Sequence, residues 1–538
     1  YKGRLDRPSV YLLPAISSFR TALQTLTPET FPEQHLKIIQ FLISAYLILG
    51  DADNAQSLRI HGLEIFRQLL NTTPSPTRKR QLAIKFASFR QVVIDSLVRE
   101  GELNAALEAA ERDKNLTLTW ILEAWKEDIW SPSYSEMLSL LDASTAAVYW
   151  HLSPDALTTF VLRANATEAI AIAPTTTRQQ LQAFETWVKE WNRDYQDYLG
   201  KKKEGTKDVY TEERQHPWRI HLNTRLEALK NILQIPILEQ ELAGITRLIL
   251  LPHRDLHRFP LQALFDPRFT ITYLPSLQVG LSLQQRASGQ DAHLTGDAWQ
   301  QMAVLSVEAP ASENLPGLPF AELESAIIQR LFQTVTPIKP HQSTQAEVTA
   351  RLEQNHSIFH FTGHGFFNDR QPQNSALALT GSDRLTAQTI HTLNLSNYVL
   401  ASLAACETSL TGNPTLDTEY VGLVSAFLKA GVAHVISSLW TVEDAANAWI
   451  MIRLYQLLFQ GEAIAVALKN AQSWLRTVTY AALIPWLQDL LPLVPPHSGA
   501  REFLNNQIRL AQAESGKIGL PFDDPYYWAA FTLAGQIT

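Results

Sequence analysis

Tyr398-Val399-Leu400-Ala401-Ser402-Leu403-Ala404-Ala405-Cys406-Glu407-Thr408-Ser409 begins as an apolar run and reaches the only cysteine in 538 residues. The run has the length of a buried strand. His364 lies 42 residues earlier, where a second such run, Ser357-Ile358-Phe359-His360-Phe361, gives way to Thr362-Gly363-His364-Gly365. Two apolar runs that each break at a reactive residue predict strands of an α/β sheet, in which chemistry collects at the carboxyl ends. A His and a Cys at two such ends are the raw material of a cysteine hydrolase. A lone cysteine is more often a small buried hydrophobe. Here it ends its run, and Ala404, Ala405, Thr408 and Ser409 leave room for a substrate. Glycine on both sides of His364 predicts a sharp turn with exposed amides.

Outward from these runs the same grammar continues. Residues 146–150, 158–162, 168–172, 247–252, 303–307 and 434–440 read as strands, and helical stretches separate many of them. Lys201-Lys202-Lys203-Glu204-Gly205-Thr206-Lys207-Asp208 reads as a solvated loop, with a basic docking patch as the lesser alternative. Residues 310–319, rich in Pro and Gly, read as a loop.

The first 135 residues differ. Phe41, Leu42, Ala45, Tyr46 and Leu49 recur at helical spacing, as do Leu63, Ile65, Phe66, Leu69 and Leu70. Val92, Val93, Leu97 and Val98 make a third stripe, and Ala105, Leu107, Ala109 and Ala110 a fourth. Gly50-Asp51-Ala52-Asp53 and Gly101-Glu102-Leu103-Asn104 read as turns between antiparallel helices. This is the pattern of tetratricopeptide-like (TPR-like) helical hairpins. The 34-residue period of that repeat is poorly kept, so a plain helical bundle stays open.

Composition bounds the function. A net charge of −8 argues against nucleic acid or an anionic membrane as the main partner. One cysteine excludes an internal disulfide framework and suits a reducing, cytoplasmic setting. The longest apolar stretch near the start, residues 38–49, is too short to span a bilayer, and no signal peptide is visible. The chain begins at Tyr1, as a piece of a longer protein would. His356, His360 and His364 lie four apart, but on a strand four residues span roughly 13 Å, so no metal site is expected from them. His360 reads as structural within its strand, and His253 and His257 as structural beside a turn. No phosphate loop or EF-hand loop appears, and no cofactor is expected.

His360-Phe361-Thr362-Gly363-His364-Gly365-Phe366-Phe367, followed by Ser375-Ala376-Leu377-Ala378-Leu379, resembles the histidine segment of the CHAT family (caspase HetF associated with TPRs). Leu403–Ser409 is similar to its cysteine segment. Gly422-Leu423-Val424-Ser425-Ala426-Phe427-Leu428-Lys429-Ala430-Gly431, Val435-Ile436-Ser437-Ser438-Leu439-Trp440 and Pro525-Tyr526-Tyr527-Trp528-Ala529-Ala530-Phe531 resemble the segments that follow, in family order. Within the family the motifs look nearest to the cyanobacterial branch, which works in heterocyst differentiation. The resemblance implies an α/β caspase-like fold preceded by the all-α region of residues 1–135. It implies a degenerate caspase-like half at 140–300 and a half bearing the dyad at 301–538. It implies a cysteine endopeptidase, with His364 as acid–base and Cys406 as nucleophile. The backbone amides of Gly365 and Cys406 would hold the oxyanion. Asp444 would line a pocket for a basic residue before the scissile bond. The same Asp444 reads equally well as an acid at a helix start. Glu443, Glu407 and Asp417 are further candidates for that pocket. The expected partners are protein substrates, docking through the helical region. The alternatives are a scaffold with an idle dyad and an acyl transferase using the same thiol.

Overall fold

The computed structural model of the protein describes residues 8–122, 130–204, 215–287, 296–313, 315, 318–366, 368, 371–406, 422–440, 442, 444–516 and 519–537. Its strands in chain order are β1 (Thr145–Leu152), β2 (Leu157–Arg163), β3 (Ile170–Ala171), β4 (Arg247–Leu251), β5 (Thr270–Tyr273), β6 (Ala303–Glu308), β7 (Thr334–Ile338), β8 (Ile358–Phe366), β9 (Ala376–Ala378), β10 (Arg384–Thr386), β11 (Leu400–Cys406), β12 (His434–Ser438) and β13 (Phe531–Gly535). The chain forms two compact units. One comprises Tyr1–Glu136, Trp150–Leu162 and Ala166–Ala183; the other comprises Met137–Tyr149, Arg163–Asn165 and Phe184–Thr538.

The first unit is mainly helical. Pro32–Leu49 and Ala52–Thr72 form one hairpin, and Ala87–Glu100 and Leu103–Leu122 another, with the ten-residue helix Pro76–Lys85 between them. The expected turns are where the sequence put them. Gly50 takes φ +78°, and the Asp51 carboxylate accepts the Asn54 amide at 3.2 Å to cap the next helix. Gly101 takes φ +82° and closes Ala87–Glu100, a conformation that favours glycine. Leu36, Ile39, Leu42 and Ile43 turn one face inward onto Phe66, Phe86 and Phe89. The antiparallel pair β2/β3 completes this unit. The strand expected over 168–172 shrinks to Ile170–Ala171, and Ala173 just beyond it takes a positive φ of 42°.

The second unit carries the large sheet, in the order β10-β9-β8-β11-β12-β13-β5-β4-β1, with β6 paired to β8 and β7 outside β6. Strands β7, β6, β8, β11 and β12 are mutually parallel. Strands β13, β5, β4 and β1 are also parallel to one another, but β13 runs antiparallel to β12. Two parallel blocks therefore point in opposite directions, and their carboxyl ends lie at opposite edges of one sheet. The closing sequence motif supplies the join. Pro525–Trp528 is a short helix whose Asp524 cap accepts the Tyr526 amide at 2.8 Å, and it delivers the chain into β13. The helix Asp444–Phe459 lies against this sheet and is apolar nearly all round, as a helix buried on several sides must be.

Candidate active site

The two runs that opened the sequence are adjacent parallel strands. Ile358 pairs with Leu400, and the register continues without a bulge until His364 faces Cys406. Neighbouring strands lie ~4.8 Å apart, so the two backbones are within dyad reach. Both strands are apolar and buried on both faces. Ile358, Phe359 and Phe361 on β8, and Leu400, Ala401 and Leu403 on β11, are at most 1% exposed.

The histidine end differs from expectation. The sequence predicts a sharp turn at Gly363-His364-Gly365, whereas β8 runs straight through to Phe366. Strand β9 takes over the edge beyond β6 and pairs Gly365 with Leu377 and Phe366 with Ala376. His364 is thus held inside a strand, half-buried, by neighbours on both sides. Neither flanking glycine has a positive φ. Gly363 is required by close approach instead: a Cβ there would lie 2.8 Å from the Phe361 ring and 3.1 Å from Pro310. Cys406 ends β11, as read.

A buried polar group lies further back along β8. His360, two residues before Thr362 and four before His364, is fully buried. Its Nδ1 is 3.1 Å from the Tyr455 hydroxyl, and its Nε2 is 2.8 Å from Thr362 Oγ1 and 3.1 Å from Glu324 Oε1. Alternation puts positions 360, 362 and 364 on one face of the sheet. His360 also sits between Ser306 and Ser402 in register. Burial pushes the Tyr455 phenol well above its ordinary value, against the hydrogen bond with Ser402. Burial also raises the Glu308 carboxyl, with Lys339 pulling the other way. His356 is buried before the strand, with Nε2 3.1 Å from Thr336 Oγ1, and desolvation lowers its pKa. His356 and His360 thus have separate partners. Among the described residues no group of three or more His, Cys, Asp and Glu is placed to hold a metal ion. None of the described helices is long and apolar enough to cross a membrane.

The candidates for the specificity pocket are less visible. Asp444 is the first residue of the helix Asp444–Phe459. Glu407, Asp417 and Glu443 lie outside the described residues. Trp440 packs in the core at 1% exposure, and its indole N–H donates to the Tyr526 carbonyl at 3.0 Å. His253 and His257 are buried around the turn Arg254–Arg258.

One residue beside the dyad escaped sequence reasoning. The Arg384 guanidinium lies over the Phe366 ring, 4.7 Å from its centroid. Strand β10, where it sits, is three residues long and carries no alternating apolar pattern. Only the resemblance of residues 375–379 to the histidine segment hinted that chain near it returns to β8.

No curated protein sequence matches the chain. Among solved structures, the separase–securin complex of Saccharomyces cerevisiae is similar at 12% identity and a TM-score of 0.48, covering 98% of this chain and 40% of that one. The Arg-specific cysteine proteinase gingipain R is similar at 13% identity and a TM-score of 0.34, covering 58% of this chain and 67% of that one. This chain spans about two-fifths of the separase chain it aligns with. The CHAT domain matches residues 223–536, a span that holds β4 to β13 and both members of the His364/Cys406 pair. With more than half of its length matched, and with His364 and Cys406 paired in register as the sequence motifs imply, the chain belongs to the CHAT-domain family.

Proposed function

We propose that the protein is a cysteine endopeptidase that cleaves protein substrates through a His364/Cys406 dyad. The register that sets His364 opposite Cys406 at the carboxyl ends of adjacent parallel strands carries this reading. Cys406 attacks the scissile carbonyl as a thiolate, and a thioester forms as the C–N bond breaks. His364 takes the thiol proton and passes it to the leaving amine. The amides of Gly365 and Cys406 hold the oxyanion. Water then hydrolyses the thioester, with His364 as base, and frees the thiol. The reaction needs no cofactor or metal.

The cleavage is regulatory rather than digestive, and the helical arm adds binding surface for chosen substrates, the usual work of helical arrays. Asp444 favours Arg or Lys before the scissile bond. A peptide-based electrophile with a basic leading residue tests the reading directly. It should label Cys406 covalently, and iodoacetamide should compete. Failure to label Cys406, with free thiol confirmed by a thiol reagent under denaturing conditions, would favour a scaffold whose dyad is idle. Asp444→Asn separates its two roles: it should lower turnover of basic peptides far more than it lowers the folding midpoint. A loss of stability with unchanged specificity would make Asp444 a helix-start acid instead.

A further inference from the structure

Strand β10 repeats the direction of β8 two places away in the sheet. Gly365 pairs with Leu377, which pairs with Leu385, and Arg384 pairs with Ala378. Arg384 therefore stands level with His364, and His364 stands level with Cys406. One row across the strands reads Cys406, His364, Ala378, Arg384. Positions in one row share a face of the sheet, as does Phe366, two residues beyond His364. The guanidinium resting on the Phe366 ring is consequently on the dyad's face, at its carboxyl-end rim.

The side chain is half-buried, and Nη1 donates to the Asp383 carbonyl at 2.8 Å. None of the carboxylates among the described residues pairs with it; the neighbouring Asp383 carboxylate accepts from the Gln345 amide at 2.9 Å instead. The aromatic ring holds a planar fork of donors in place, a geometry suited to binding a carboxylate.

Resting on the endopeptidase reading above, we propose that Arg384 is a specificity residue for substrates bearing Asp or Glu shortly after the scissile bond. The direction follows from the chemistry. The histidine must reach the leaving amine, so the leaving segment lies on the His364 side of Cys406. Arg384 lies further along that same side. Two strand spacings separate it from His364, roughly 10 Å, and an extended chain advances about 3.3 Å per residue. A chain crossing the strand ends thus brings its second to fourth residue past the cut within reach of the guanidinium.

The test uses the whole chain and a defined random-peptide library, with cleaved termini read by mass spectrometry. Wild type should enrich Asp and Glu at the second to fourth residue after the cut. Arg384→Ala should lower the kcat/KM ratio of acidic to neutral peptides about fivefold, the scale of a partly exposed charged hydrogen bond. Arg384→Lys should keep part of the preference, and Arg384→Glu should turn it towards Lys and Arg. Cleavage by wild type without acidic enrichment, or an enrichment that survives Arg384→Ala, overturns the assignment and leaves the endopeptidase reading intact. No cleavage by wild type, with Cys406 unlabelled by the electrophile, overturns both.

Discussion

The large sheet contains two parallel blocks, and their carboxyl ends carry different residues. In the block β7-β6-β8-β11-β12, β8 carries His364 two residues before its end, β11 ends at Cys406, and β8 also pairs with the antiparallel β9. In the block β13-β5-β4-β1 the equivalent ends are filled. Strand β4 runs into the buried turn Arg254–Arg258, whose Leu256 is fully buried. Phe259 just beyond stacks edge-on against Trp187 and Trp191. Strand β5 ends at Tyr273, whose hydroxyl donates to Gln262 Oε1 at 2.6 Å and accepts the Gln262 amide at 3.0 Å. The same side chain's Nε2 donates to the carbonyls of Ala529 and Phe531. Strand direction alone therefore does not make a site. Reactive side chains must also meet in register, as His364 and Cys406 do. The reversal at β13 adds a second constraint. The filled block presents its carboxyl ends at the far edge and lends no strand end to the dyad.

The contrast can be broken most severely at Cys406. Cys406→Ala should abolish proteolysis while shifting stability by only about 1 kcal/mol, because little volume is lost. Equal cleavage of a protein substrate by mutant and wild type would remove this block's claim to chemistry. His364→Ala comes next, with a fall in acylation rate of at least about a hundredfold. Alkylation of Cys406 by a haloacetamide should also move to higher pH, and an unchanged profile would mean that another group sets the thiol's state.

A third effect is on stability and belongs to the block that carries the dyad. His434 starts β12, fully buried, with Nδ1 3.2 Å from the Val399 carbonyl. Desolvation lowers its pKa to about 4. The folded value lies below the unfolded one, so its contribution is complete above about pH 6.5 and is lost as pH falls towards 4. The loss should be on the order of 2–3 kcal/mol, seen as a falling urea midpoint between those pH values. His434→Gln should flatten that slope; a slope of undiminished size would assign it to other groups. The smallest effect sharpens the comparison from the other side. Tyr273→Phe should cost about 1 kcal/mol of stability through the lost hydrogen bond to Gln262. Its peptide-cleavage profile should match wild type, and an altered profile would show that the filled ends do reach the site.

Much of this was legible in the residues. The stripes around Leu42, Phe66 and Val98 are long and periodic, and they predicted the helical arm. The runs at 146–150, 247–252 and 303–307 predicted strands because buried parallel strands are uniformly apolar. Shorter pieces were not legible. Strands β5, β7, β10 and β13 are three to five residues long, and β7 carries Pro337 and mixed exposure. Such segments become strands because a neighbour accepts their hydrogen bonds, and sequence carries little trace of that. Gly363 shows the same limit. Its lack of a side chain read as freedom to turn, while its neighbours reveal a lack of room.

The sequence by itself determined the reactive residue types and the strands that carry them, because both are written in local pattern: an apolar run, then a His or a Cys. It also placed the chain among its relatives through motifs in order. Tertiary structure alone decided that these strands are neighbours in matching register, that β13 reverses the sheet between its two blocks, and that Arg384 stands in the row of the dyad. Register, strand order and direction are properties of pairs of segments far apart in the chain. They are settled by which buried faces fit together, and no local stretch of residues encodes that.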